Sequence, residues 1–292
     1  MEQLALDIPN CRKANPPRGQ LLKWIGNKQR FAAEIASYFP RSYGTYFEPF
    51  LGTGAVLAAV APPKAVASDI FPPLIEIWNA LKKSPEVLKE WYAERWRRFV
   101  GGDKATEYEN IKSGYNRSPN GADLLFISRS CYGGVVRFRK ADGHISTPVG
   151  AHDPIRPESF ARRVDEWSKR VTGTDFFALD FREATARAKR GDLVYCDPPY
   201  HHSQGILYGA QSFKVGDLFD AIAHCQARGV FVALSIDGIK KSGTLNCDVN
   251  IPAGLFRREA FVDCGRSMLR RFQMGGRTLE SEVVHDRLLL TY

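Results

Sequence analysis

The chain has 292 residues, with 41 Lys+Arg against 32 Asp+Glu, a formal net charge of +9 and a pI of about 9.3, which points to an acidic partner. A 44% hydrophobic and 25% charged composition is that of an ordinary globular protein and excludes a disordered, collagen-like or disulfide-rich chain. No apolar run approaches the ~20 residues needed to span a bilayer, and Met1 to Asn10 lacks the basic start and apolar stretch of a signal peptide, so a cytoplasmic location is expected.

Taken in order, five short runs rich in β-branched and aromatic residues read as buried strands of a parallel sheet: Tyr43 to Phe50, Ala65 to Asp69, Asp175 to Leu179, Leu193 to Cys196 and Val230 to Ile236. Helical patterns separate them. Two further runs, Leu255 to Val262 and Arg287 to Thr291, suit a sheet that ends in an antiparallel pair. The expected fold is therefore α/β, a Rossmann-like doubly wound sheet of about seven strands, mostly parallel with the last antiparallel. The gap between the second and third strands far exceeds an ordinary α/β connection. It predicts an inserted, largely helical domain over 84–170, with catalytic parts over 1–83 and 171–292. The insert begins with an aromatic helical stretch (Trp91, Tyr92, Trp96), continues through Asp123 to Ser130, and reaches a segment holding Gly133, Gly134, Gly143 and Gly150.

After the first strand comes Phe47-Glu48-Pro49-Phe50-Leu51-Gly52-Thr53-Gly54-Ala55, then the helical run Val56 to Val60. Gly-x-Gly between strand and helix lets the backbone approach a ligand. Without a following Walker Lys-Ser/Thr it suits a nucleoside-containing cofactor rather than a triphosphate. A tight turn with no ligand reads equally well from this motif alone. The second strand ends in Ser68-Asp69, whose carboxylate can accept from both ribose hydroxyls, cap the helix beginning at Pro72-Pro73, or do both.

The most specific segment is Gly191 to Tyr200, an apolar strand running into Asp197-Pro198-Pro199-Tyr200. Two prolines remove two backbone donors and stiffen the turn, leaving the Pro198 carbonyl as an acceptor beside the Asp197 carboxylate. An exocyclic amino group has two hydrogens to satisfy, and the Tyr200 ring offers a face for stacking. The motif describes a site for an amino-bearing base.

With these motifs goes Leu22-Lys23-Trp24-Ile25-Gly26-Asn27-Lys28 near the N-terminus, and together, in this order, they resemble the Dam-type DNA adenine methyltransferases. The likeness continues through Phe126 to Gly150, where Ser128-Arg129 and Gly134-Val135-Val136-Arg137 resemble that family's DNA-recognition hairpin, and to Leu288-Leu289-Leu290. It implies an S-adenosylmethionine-dependent enzyme in which Trp24 and Lys28 contact the cofactor, Lys28 through the methionyl carboxylate, and Asp69 holds the ribose. It further implies that Phe50, Gly52 and Gly54 form the turn around the cofactor, that Asp180 and Phe181 lie near its adenine, that Asp197 touches both substrates, and that Tyr208 and Phe213 line the target-base pocket. Asn27, Ser128 and Gly133 depart from the family pattern.

The chemistry follows from the amine. Its lone pair is delocalised into the ring, so Asp197 and the Pro198 carbonyl, by accepting both hydrogens, would favour a tetrahedral nitrogen aimed at the methyl group, and the target base must leave the duplex stack. Seven basic against three acidic residues over 129–163, including Arg129, Arg137, Arg139 and Lys140, and four Arg with no acid over 266–277, including Arg270 and Arg277, are expected to clamp double-stranded DNA. His201 and His202 read as exposed loop residues. The six cysteines show no Cys-x-x-Cys pair or zinc spacing, so they read as free thiols and no metal is expected. A monomer or weak dimer is expected, with a cognate restriction endonuclease as a further candidate partner. Three readings compete: methylation of the adenine amino group, methylation of a cytosine 4-amino group or of RNA, and a non-catalytic DNA-binding regulator on the same scaffold.

Overall fold

The computed structural model describes residues 16–24, 26–199, 213–240, 250–266 and 283–292. The elements in chain order are α1 (Ala32–Ser37), β1 (Tyr46–Glu48), α2 (Ala55–Val60), β2 (Ala65–Asp69), α3 (Pro72–Lys83), α4 (Pro85–Gly101), α5 (Lys104–Arg117), α6 (Gly121–Ser130), α7 (Pro157–Ser168), β3 (Thr174–Ala178), α8 (Phe181–Ala186), β4 (Leu193–Cys196), α9 (Val215–Ala227), β5 (Phe231–Lys240), β6 (Arg258–Arg266) and β7 (Val283–Leu290).

The strands form one sheet in the order β3-β2-β1-β4-β5-β7-β6. Strands β1 to β5 run parallel, and β7 is antiparallel to both of its neighbours, β5 and β6. The centre of the sheet is covered on both sides, and accordingly every residue of β1 and β4 is buried. Alternation sorts their side chains: Tyr46, Leu193 and Tyr195 enter one core with α1, α2 and α3, while Phe47, Val194 and Cys196 enter the other with α8 and α9. β2 and β4 fall where the sequence places them. β1 is shorter than expected: at its end Pro49 has no N–H to continue the ladder, and before its start the Thr45 N–H donates to the Asp192 carboxylate at 2.7 Å. β6 begins later, since Leu255 lies in a turn closed by its N–H to the Pro252 carbonyl (3.3 Å), with Gly254 at φ +78°.

Residues 84–170 are largely helical, as expected. Phe160, Val164 and Trp167 lie on one face of α7 at helical spacing. They pack with Tyr92, Phe126 and Trp78 of α3 in a core continuous with the sheet's first face. Tyr92 stacks on Phe160 at 4.2 Å, and Trp78 meets Trp167 at 5.8 Å. Trp91 and Trp96 are half-buried against the same core. From Cys131 the chain forms an irregular hairpin with bridges Cys131 to Val149 and Phe138 to Ile145. Gly143, at φ +70°, closes its tip, where the Arg139 N–H donates to the His144 carbonyl at 2.9 Å. Cys131, Cys196 and Cys225 are free and buried. Among the described residues no helix is long and apolar enough to cross a membrane.

Candidate active site

The site lies at the carboxyl ends of β1, β2 and β4, beside the crossover that places β1 between strands of the two halves. Between β1 and α2 the backbone takes left-handed conformations at Gly52 (φ +47°) and Gly54 (φ +56°). The Leu51 N–H donates to the Ser68 carbonyl at 2.9 Å and the Gly54 N–H to the Leu51 carbonyl at 2.7 Å. A Cβ on Gly52 would meet nothing within 4 Å, whereas one on Gly54 would lie 2.8 Å from Cη2 of Trp78. The first glycine leaves space for a ligand, and the second lets the turn press onto the core.

Asp69 closes this turn from β2. One carboxylate oxygen accepts the Gly52 N–H and the other the Phe71 N–H, both at 3.1 Å. It therefore organises the approach to α3 while Phe71, not Asp69, occupies the N-cap. Burial raises its pKa to about 6, against the lowering by the backbone N–H groups of Gly52, Phe71 and Ile70.

Asp69 lines a cavity of about 230 Å³ together with Trp24, Lys28, Gly52, Asp180 and Asp197. Three further lining residues form an aromatic wall: Phe50 stacks on Phe181 at 5.2 Å, and Phe213 meets both rings edge-on at 5.8 Å. Phe213 thus sits with the residues assigned to the cofactor. The Asp180 carboxylate caps α8 by accepting the Arg182 N–H at 2.9 Å and also takes the Arg182 Nε–H at 2.8 Å. Arg182 in turn lies over the Phe181 ring, 5.5 Å from its centroid, and reaches Asp217 of α9 at 3.2 Å.

At the cavity edge Lys28 Nζ is 2.9 Å from Asp197 Oδ1, with the two side chains 5% and 18% exposed. Asp197 is poised as a carboxylate beside a buried cation, and Pro199 lines the same cavity. Sequence reasoning missed Glu48, which also lines it and accepts the Tyr46 hydroxyl at 2.6 Å. Burial pushes the Glu48 carboxyl up to about 8, opposed by the Tyr46 hydrogen bond and reinforced by the Asp197 charge. Its signal was an acid closing an apolar three-residue strand, which is expensive unless the acid has a partner. Pro198 lies in the irregular segment that follows β4, and Tyr200, His201, His202 and Tyr208 fall outside the described residues.

Among the described residues, one basic side chain counted toward the surface is buried. Arg129 is corrected: it is 3% exposed at the end of α6, and its guanidinium donates to the Gln20 and Leu21 carbonyls at 2.9 Å each, so it does not reach the surface. An arginine on a helix buried on nearly every side faces inward whatever its neighbours' charge. Arg137, Arg139 and Lys140 are exposed on the hairpin, Arg139 engaging Asp142 at 3.0 Å and the His144 ring at 3.1 Å. Tyr132, at the hairpin root, is 53% exposed and was also missed; a large aromatic among basic residues is its sequence signal. Arg270 and Arg277 lie outside the described residues.

Against known proteins, residues 24–245 match the family model described as D12 class N6 adenine-specific DNA methyltransferase. The chain is 32% identical over 200 residues to the retron Ec67 DNA adenine methylase of Escherichia coli, covering 64% of this chain and 67% of that protein. It is 28% identical over 252 residues to the type II methyltransferase M1.LlaDCHI of Lactococcus lactis subsp. cremoris, with 78% and 84% covered. A DNA adenine methylase of Vibrio cholerae is 31% identical over 185 residues, 61% of this chain and 64% of that one.

Proposed function

The chain belongs to the D12 class of N6 adenine-specific DNA methyltransferases, and from that premise we propose that it moves a methyl group from S-adenosylmethionine to the 6-amino group of an adenine flipped out of double-stranded DNA. The observation that carries the reading is that the cavity lined by Asp69 and the Gly-rich turn opens onto Asp197 and Pro199, so a nucleoside cradle and an amine-accepting motif share one space. S-adenosylmethionine bound there supplies the methyl group as a sulfonium substituent.

The residues fit this cofactor. Open space at Gly52 admits a ligand against the backbone, Asp69 offers a charged acceptor to ribose hydroxyls, and the Phe50, Phe181 and Phe213 rings offer faces and edges to a purine. Asp180 stands beside them, steadied by Arg182, and Trp24 and Lys28 close the methionyl end. Asp197 and the Pro198 carbonyl take the two amino hydrogens of the adenine, which localises the nitrogen lone pair, and Asp197 passes the proton released after methylation to water. Lys28 Nζ, 2.9 Å from Asp197 Oδ1, holds that carboxyl group in place. Base extrusion costs a few kcal/mol, which stacking on Tyr200 partly offsets. Residues 84–170 form the target-recognition lobe, with Arg137 and Lys140 on phosphates or base edges and the exposed Tyr132 ring filling the gap in the stack. The likeness to a type II methyltransferase supports a cognate restriction endonuclease as a partner.

The direct test is modification-sensitive single-molecule sequencing of plasmid DNA from a methylation-free host expressing the chain. N6-methyladenine in one short motif is expected. Cytosine modification, or unmodified DNA in the presence of folded protein, overturns the reading.

Two smaller effects arise from the same geometry. Asp69 titrates near 6, so affinity for S-adenosylmethionine should fall several-fold as pH drops through that value and the ribose acceptor loses its charge. The sign for stability is opposite. A carboxyl raised from 3.8 to about 6 binds its proton more readily in the native state, so its contribution to stability is fully present below the lower value and is lost as pH rises through the upper one. Calorimetric titration across this range, with Asp69→Asn as the flat control, measures the binding effect, and a wild-type affinity independent of pH would remove Asp69 from the ribose site. Arg137→Ala is expected to weaken duplex binding or relax site preference, worth about 1–3 kcal/mol for a base contact, and competition binding across duplex sequences distinguishes this from no change.

A further inference from the structure

The segment that delivers Trp24 and Lys28 to the cavity crosses α6 and α7 of the inserted lobe first. Over residues 16–24 it has no regular secondary structure, so its carbonyls need partners from elsewhere. The lobe supplies them. The Gly19 carbonyl accepts Trp167 Nε1–H at 2.7 Å, and the Gln20 carbonyl accepts from Arg129 at 2.9 Å and from Arg163 at 2.8 Å. Arg129 also donates to the Leu21 carbonyl, and Glu166 accepts the Arg18 N–H at 3.1 Å.

This clasp is costly for a merely structural tie. Two guanidinium groups converge on one backbone carbonyl, Arg129 is nine-tenths or more buried, and its Nε is a buried donor without a hydrogen-bond partner. Burial, and after it the charge of Arg163, pull the Arg129 pKa down to about 10, the nearby Tyr92 opposing them. An apolar side chain of similar volume would avoid burying a charge but would leave the Leu21 carbonyl without this donor.

The clasp also sits where the recognition hairpin begins. Arg129 precedes Cys131, the first bridged residue of the hairpin, and within the hairpin root Gly134 packs so closely that a Cβ there would lie 3.1 Å from Lys23 Cδ. The cofactor-bearing segment is therefore touched by the last turn of α6, immediately before the hairpin, and by Gly134 inside the hairpin root. We propose that Arg129, with Arg163, is a positioning residue that couples duplex binding on the hairpin to the placement of Trp24 and Lys28 in the cavity. This rests on the reading above that the hairpin seats DNA and the cavity holds the cofactor.

The test measures binding of sinefungin, an unreactive analogue of S-adenosylmethionine, with and without an excess of fragmented plasmid DNA from a methylation-free host. In the wild-type chain DNA is expected to tighten sinefungin binding by about fivefold or more, and sinefungin to tighten DNA binding by the same factor, as linkage requires. In Arg129→Met and Arg163→Met that factor should collapse to within about twofold of unity while each ligand alone still binds. Arg163 is the less buried of the two, so its variant carries the test if Arg129→Met does not fold. Variants that keep the wild-type factor, or a wild-type chain with no coupling, overturn the proposal alone. A wild-type chain that binds no sinefungin overturns the functional reading and the coupling together.

Discussion

Asp197→Ala is expected to reduce methyl transfer by at least about a thousandfold while leaving duplex affinity within a few fold. The size of the effect follows from the amine. Its nitrogen attacks only when its lone pair is drawn out of the ring, and alanine leaves the Pro198 carbonyl to accept one of two hydrogens. The substitution also removes the carboxylate 2.9 Å from the buried Lys28 ammonium, so some loss of stability accompanies it, moderated because Asp197 is 18% exposed. Asp197→Asn separates the two effects. It keeps the volume but turns an amide towards either the Lys28 ammonium or the substrate's own hydrogens, and it should be nearly as inactive in a chain that melts closer to wild type. Transfer of a labelled methyl group to DNA, measured beside thermal unfolding, checks both. Wild-type turnover in Asp197→Ala would remove this residue from the acceptor pair.

The parts of this protein legible in its sequence are those where one physical constraint dominates. β4 is buried at every position, so an uninterrupted apolar run marks its limits, and a proline follows it after a single aspartate. β6 and β7 are displaced by several residues, because the apolar run before β6 extends into a turn and the run in β7 begins only after the polar His285 and Asp286 inside the strand. Side-chain direction was the harder question. Counting charges treated Arg129 like Arg137, yet α6 is buried at every position but Asp123, and only that three-dimensional fact turns Arg129 inward. Glu48 shows the reverse case. The Gly-rich motif drew attention to the residues after it, while the acid just before the turn lies in the cavity because β1 ends there.

Gly54→Ala is expected to destabilise the chain by about 2–5 kcal/mol, the sum of about 1–2 for a side chain in the left-handed conformation and about 1–3 for overpacking. The second contribution is certain to be felt because the atom it strikes cannot retreat. Trp78 is fully buried, stacked on Phe176 at 5.6 Å, tilted against Trp167 at 5.8 Å, and tied through Nε1 to the Gly52 carbonyl at 3.2 Å. The new methyl group would lie 2.8 Å from that ring, so the turn must shift or the aromatic stack must open. At about 2–4 °C per kcal/mol for a chain of this size, the melting temperature falls by roughly 4–20 °C. Gly52→Ala shares the backbone strain, at φ +47°, but its Cβ meets nothing within 4 Å. Its stability cost should be about 1–2 kcal/mol, and its larger effect should be on sinefungin affinity, because its methyl group enters the space a cofactor needs. Scanning calorimetry and sinefungin titration on both variants separate a glycine that serves packing from one that serves binding. A Gly52 variant that melts as low as the Gly54 variant, or binds sinefungin as tightly as wild type, contradicts that division.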